Sequence, residues 1–149
     1  MFASIIIIVF SLLLFLYWFR YTCLLILSTK TAKDYTAQAA RVNQLELPSV
    51  QASLQTELAV EGLDHLHQSL ARDYTLLTSL VRHAAEFQFG GFTLEQRMLM
   101  IDYKVMQLWF ALAKRTSHAS HARLALEEMA DIVAHFANVM GERAAASRC

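Results

Sequence analysis

An unbroken apolar run near the N-terminus constrains this chain more than any other feature. From Phe2 to Leu27 the only charged side chain is Arg20, and Ile, Leu, Phe and Val dominate the rest. A bilayer core of about 30 Å needs about 20 apolar residues in a helix. The run exceeds that length, so we predict a transmembrane anchor over residues 1–28.

The charges on either side of the run predict its orientation. No charged side chain precedes it, whereas Lys30, Lys33 and Arg41 follow it against one acid, Asp34. Positively charged flanks tend to stay in the cytoplasm. We therefore expect the N-terminus outside and the C-terminal domain in the cytoplasm. A cleaved signal peptide is not expected, because no basic region precedes the run and no small-x-small cleavage site follows it.

Arg20 is a candidate interaction residue with two interpretations. Its side chain can extend along the helix until the guanidinium reaches the headgroups. Alternatively, it pairs with an acidic group on another membrane subunit, since the run itself holds no Asp or Glu. The run also lacks His, which argues against a histidine-held haem in this helix.

The rest of the chain has the size and charge of one small domain. The chain has 149 residues and no net charge, which allows one ordinary domain beyond the anchor. No basic stripe is present, so we expect no nucleic-acid partner. The two cysteines, Cys23 and Cys149, do not suggest a disulfide framework.

Helical spacing predominates after the anchor, and no stretch alternates as a strand would. We predict a juxtamembrane helix over residues 29–47 that Pro48 ends, and a short helix that begins at Ser49. Gly62 is expected to kink or break the chain. A longer helix is predicted over Leu63–Phe87, where leucines recur at helical spacing.

Two further helices carry apolar residues alternately four and three residues apart, the spacing of a bundle seam. Thr93 and Gln96 form a capping box that begins the first of them. The first seam is Leu94, Met98, Ile101, Val105, Leu108 and Leu112, and the second is Ala122, Leu126, Met129, Val133, Phe136 and Met140. We expect the seams to face each other in a hairpin, so that Leu108→Asp unfolds the domain.

These patterns predict an all-α protein: a single N-terminal transmembrane helix followed by a small three- to four-helix cytoplasmic bundle with short loops. The bundle domain is assigned to residues 48–141. Gly141 is expected at the position that ends the last helix, and residues 142–149 are expected to form a flexible tail.

Five aromatic residues are candidate interaction residues. Phe87, Phe89 and Phe92 surround two glycines, where they either plug the end of the bundle or form an exposed apolar knob for a partner. Trp109 and Phe110 exceed what one seam needs, which indicates two buried faces on the same helix. Trp109 belongs either to the core or to a second interface.

No catalytic or metal-binding constellation emerges. His118 and His121 lie one helical turn apart, as do Asp64 and His67, but neither pair has the further ligands of a metal site. The glycine pair at 90–91 lacks the Lys and Ser or Thr of a phosphate loop. We therefore expect no catalytic residue, no metal and no cofactor.

The sequence thus predicts a non-enzymatic, single-pass accessory or scaffolding subunit. Its partners would be the lipid bilayer and either other subunits of a membrane complex or its own copies. Two alternatives stay open: a membrane-tethered sensor or enzyme with a small pocket in the bundle, and a self-assembling structural protein.

Overall fold

The computed structural model describes residues 1–29, 34–56, 60–87, 91–116 and 118–147. Over these residues it contains helices and no strands, which confirms the all-α prediction. The helices are α1 (Phe2–Ser28), α2 (Thr36–Val42), α3 (Leu47–Leu54), α4 (Val60–Phe87), α5 (Leu94–Arg115) and α6 (Ala119–Ala146).

The chain divides into two compact units, Met1–Lys30 and Thr31–Cys149. The first unit is essentially α1, which is long and apolar enough to cross a membrane. Its apolar side chains are largely exposed from Phe2 to Trp18. Arg20 lies in α1 about two turns before the helix ends at Ser28.

The second unit is built around α6, which packs against α5, α4, α2 and α3. The predicted seam on this helix is confirmed, because its residues from Ala122 to Phe136 are buried. Leu126, Met129, Val133 and Phe136 are inaccessible to solvent, and burial of each such side chain contributes about 1.5–3 kcal/mol.

The leucine pattern on α4 also predicts its buried face correctly. Leu63, Leu66, Leu70 and Leu77 all lie in the core. The expected break at Gly62 is wrong, since α4 already begins at Val60 and continues through this glycine. A helix-interior glycine costs only about 1 kcal/mol, which the long buried face of α4 offsets.

The predicted juxtamembrane helix over 29–47 is shorter than expected. Among the described residues of that range, α2 covers only Thr36–Val42, and Gln44 then adopts a positive φ of 51°. Pro48 does not end a helix but lies in the first turn of α3. Proline fits there because amides in the first turn have no partner within the helix.

The last helix does not end at Gly141. It continues to Ala146, so residues 142–146 are helical and not a tail. Gly141 has a different role, because a Cβ at this position would overlap Cβ of Tyr35 and lie 3.2 Å from its Cγ. The glycine therefore lets the chain that leads into α2 lie directly against α6.

Candidate interaction surface on α5

The first turn of α5 forms as the sequence predicts. The hydroxyl of Thr93 accepts a hydrogen bond from the amide of Gln96, and the Gln96 side chain accepts one from the amide of Thr93. This reciprocal capping satisfies two amides at the start of the helix. The beginning of α5 is thus determined locally.

The face that α5 turns to the core is not the predicted one. Leu94 and Leu108 are 75% and 74% exposed, and Ile101, Val105 and Leu112 are also exposed. The prediction that this seam packs against α6, and with it the expectation that Leu108→Asp unfolds the domain, is wrong. We call the predicted seam residues the α5 stripe: Leu94, Met98, Ile101, Val105, Leu108 and Leu112.

Aromatic stacking accounts for the face that is buried instead. Tyr103 stacks on Tyr74 of α4, with ring centroids 3.7 Å apart and ring planes inclined by 5°. Phe110 stacks on His67 of α4 at 4.7 Å. Large rings that pack on each other contribute more than aliphatic burial alone. Tyr103 and Phe110 lie on the side of α5 opposite the stripe, so the stripe faces away from the core.

The core face of α5 also contains polar side chains. Gln96 and Asp102 are buried together with Leu99, Met106 and Ala113. Burial raises the pKa of the phenols of Tyr103 and Tyr74, so both stay neutral at physiological pH. Because its core positions are partly polar, this face gave a weaker apolar signal than the exposed stripe.

The candidate aromatic residues divide between the two faces. Phe110 is 4% exposed and belongs to the core, whereas Trp109 is 47% exposed and lies beside the α5 stripe. Its indole contacts the His121 ring edge-to-face at 6.4 Å. Trp109 therefore occupies one edge of the stripe and does not belong to the core.

The phenylalanine cluster is described only in part. Phe92 is half-buried. Phe87 is the last residue of α4, but its side chain and the whole of Phe89 lie outside the described residues. Neither reading of this loop, a plug or an exposed knob, is thus decided.

Exposed bases line the other edge of the stripe. At about 100° per residue, Arg97, Lys104 and Arg115 fall within about 20° of one another around the helix. All three are exposed, and none forms an ion pair in the described part of the chain. Lys114, on a different side of α5, pairs instead with Asp64 of α4.

The two pairs considered as metal ligands, Asp64 with His67 and His118 with His121, do not form a metal site with the described residues. Asp64 is engaged by Lys114, and His67 stacks on Phe110. The rings of His118 and His121 lie 5.7 Å apart. Over the described residues, no group of three or more His, Cys, Asp or Glu side chains is placed to hold a metal.

A cavity of about 470 Å³ lies where α3, α4 and α6 meet. Its lining includes Leu54, Leu63, Leu124 and Arg123. The Arg123 guanidinium is already engaged, because it donates to the carbonyl of Leu54 and to Oε1 of Glu127. Among the described residues that line the cavity, none supplies a free cation that would select an anionic ligand.

Comparison with known protein families, with characterised proteins and with solved structures finds no match for the chain. The features that bear on function are therefore the chemistry of α1 and of the α5 stripe.

Proposed function

We propose that this protein is a non-enzymatic, single-pass membrane protein whose helical domain docks another subunit of a membrane complex. The anchor is α1, with the N-terminus outside and the helical domain in the cytoplasm. The docking surface is the α5 stripe, together with Trp109 at its edge. In this proposal the domain acts as an accessory or scaffolding module.

The exposed stripe is the observation that supports the proposal. Monomeric proteins expose scattered apolar residues, whereas contiguous apolar patches mark interaction sites. Along α5, exposed Leu and Ile side chains follow the four-three spacing that fits another helix. A partner helix on this face would remove them from water without disturbing the core behind them.

The anchor is supported by length, composition and exposure. The apolar side chains of α1 up to Trp18 are largely exposed, and lipid is the solvent that such a surface requires. The basic residues Lys30, Lys33 and Arg41 after α1 support the cytoplasmic side for the domain.

Photocrosslinking tests the docking role. The full-length protein would carry a photoreactive amino acid at Leu108, or at Thr75, an exposed residue of α4, as the matched control. Illumination of native membranes is expected to yield a discrete adduct with a second polypeptide from position 108 and none from 75.

Other adducts would contradict this role. An adduct at twice the mass of the chain would replace the docking role with self-assembly. Equal labelling from the two positions, or no labelling from 108, would remove the stripe as an interaction surface.

Protease protection tests the topology. A C-terminal tag on the full-length protein should be sheltered in sealed right-side-out vesicles and lost once detergent opens them. Cleavage of the tag in intact vesicles would reverse the proposed orientation.

A further inference from the structure

We infer that the partner on the α5 stripe is an amphipathic helix with acidic residues along one flank, an inference that rests on the proposed docking function. The charges beside the stripe are the basis. Arg97, Lys104 and Arg115 all follow one edge, while the opposite edge presents Trp109 and no exposed base.

The positions of these bases are those that select a partner in paired helices. In heptad terms the stripe occupies the a and d positions, Arg97 and Lys104 occupy successive g positions, and Trp109 occupies an e position. Side chains at e and g flank the apolar seam and set partner choice by charge. A partner therefore meets a row of two cations, Arg97 and Lys104, one heptad apart.

A second copy of this chain does not match that row. In an antiparallel pair of copies the basic edges would face each other, which is repulsive. In a parallel pair Arg97 would face position 102 and Lys104 would face position 109 of the other copy. Asp102 is buried within its own domain, and Trp109 carries no charge. Neither arrangement gives the bases an accessible carboxylate.

A lipid surface matches the charges but not the shape of the apolar face. An interfacial helix places a broad apolar face into the headgroup region. At about 100° per residue, the six stripe residues cover only about 80° of α5, the width of a seam for one neighbouring helix. The observations thus favour a helical partner over an anionic membrane.

The experiment uses two designed helical peptides, each about three heptads long, with Leu at a and d. One carries Glu at e and g, and the other carries Lys. Binding to the full-length protein, held in nanodiscs of neutral lipid, is measured by anisotropy of a labelled peptide. We expect the Glu peptide to bind at least about tenfold more tightly than the Lys peptide.

Charge-reversal variants test whether the preference for the Glu peptide depends on Arg97 and Lys104. Arg97→Glu with Lys104→Glu should reverse the preference. Arg41→Glu with Arg82→Glu, which makes the same change in net charge at exposed residues outside α5, should leave it intact. Reversal by both pairs would reduce the preference to general electrostatics and overturn the inference.

The outcomes separate this inference from the docking function. Equal binding of both peptides, abolished by Leu108→Asp, keeps the docking surface and overturns the acidic partner. Binding of neither peptide also overturns the acidic partner, and the crosslink from position 108 then decides the docking function independently. The Trp18→Phe variant leaves Trp109 as the source of tryptophan fluorescence. A blue shift of this fluorescence in anionic nanodiscs without peptide would assign the stripe to lipid, and would overturn both the acidic partner and the docking function.

Discussion

The backbone amide of Tyr35 donates a hydrogen bond of 2.7 Å to Oδ1 of Asn138. One turn further along α6, Gly141 lies against the Tyr35 side chain. These two contacts hold the start of the second unit on its central helix. They join residues more than 100 positions apart, so they constrain the whole domain.

Gly141→Ala is expected to destabilise the domain. Alanine normally stabilises a helix interior by about 0.5–1 kcal/mol relative to glycine, but here the new methyl group would overlap Tyr35. Overpacking of this kind costs about 1–3 kcal/mol, so the melting temperature should fall. Thermal unfolding of the full-length protein, followed by circular dichroism, measures the change.

Gly91→Ala is the control for that substitution. Its new Cβ would have Arg97 Nη2 as the nearest neighbour at 4.0 Å, so stability should stay within about 0.5 kcal/mol of the original. A gain in stability for Gly141→Ala would mean that Tyr35 does not lie against α6 in solution.

Leu108→Asp should leave the fold intact, contrary to what the spacing alone suggests. Leu108 is 74% exposed, and surface substitutions usually change stability by less than about 0.5 kcal/mol. Leu99→Asp, on the core face of the same helix, places an unpaired charge in the interior and should unfold the domain. Melting curves of both variants in detergent test this. If Leu108→Asp unfolds and Leu99→Asp does not, the orientation of α5 is reversed.

Asp73 should control the start of α3. Its buried carboxylate accepts a 2.7 Å hydrogen bond from the amide of Leu47. Asp73→Leu would leave that buried amide without a partner, which costs about 1–3 kcal/mol, whereas Asp73→Asn keeps an acceptor oxygen and should cost less. Denaturant titrations of the two variants give the comparison. Equal losses would show that the hydrogen bond contributes little.

The same carboxylate should make stability depend on pH. Burial raises the pKa of Asp73, and the hydrogen bonds from Leu47 and Glu46 oppose that rise only in part. A raised folded pKa means that the contribution of Asp73 is complete below the ordinary carboxyl pKa and declines as pH rises through the folded value. The stability of the original protein relative to Asp73→Asn should therefore fall from about pH 4 upward. A constant or rising difference would contradict the raised pKa.

His67 should make stability depend on pH in the direction opposite to Asp73. Burial lowers its pKa, although Asp64 opposes the shift. A lowered folded pKa means that its contribution is complete above the ordinary histidine pKa and is lost as pH falls through the folded value. We expect the melting temperature to fall as pH drops below about 6.5.

His67→Phe keeps a ring that can stack on Phe110 and cannot take up a proton. Its melting temperature should therefore fall less steeply with acidification. His135, whose pKa burial also lowers, remains in this variant and accounts for part of the residual slope. An identical pH dependence in the variant and the original would exclude His67 as a source.

The elements that could be predicted are those determined within a few turns of chain. The apolar composition of α1, the capping box at Thr93 and the leucines of α4 each carry their signal locally. The seam on α6 was predicted correctly because this helix is surrounded by others. Because neighbouring helices cover α6 on several sides, its regularly spaced apolar residues are buried, and their spacing alone identifies them.

The orientation of α5 could not be predicted in the same way. The sequence of α5 has two faces that could be buried, one with Leu108 and one with Tyr103. The apolar residues of the Leu108 face follow the four-three spacing more regularly. Spacing shows that a face is apolar but not which neighbour covers it. The exposed stripe, and the candidate docking site with it, followed only from how α5 packs against α6 and stacks its rings on α4.

By itself the sequence determined a long apolar N-terminal helix, an all-α fold and the starts of α5 and α6, because these depend on composition and on hydrogen bonds between near neighbours. Only the tertiary structure decided which face of α5 meets the core and that Gly141 adjoins Tyr35. Both depend on contacts between residues distant in the chain: the rings of Tyr103 and Tyr74 stack from different helices. Such contacts leave no periodic signal in either segment.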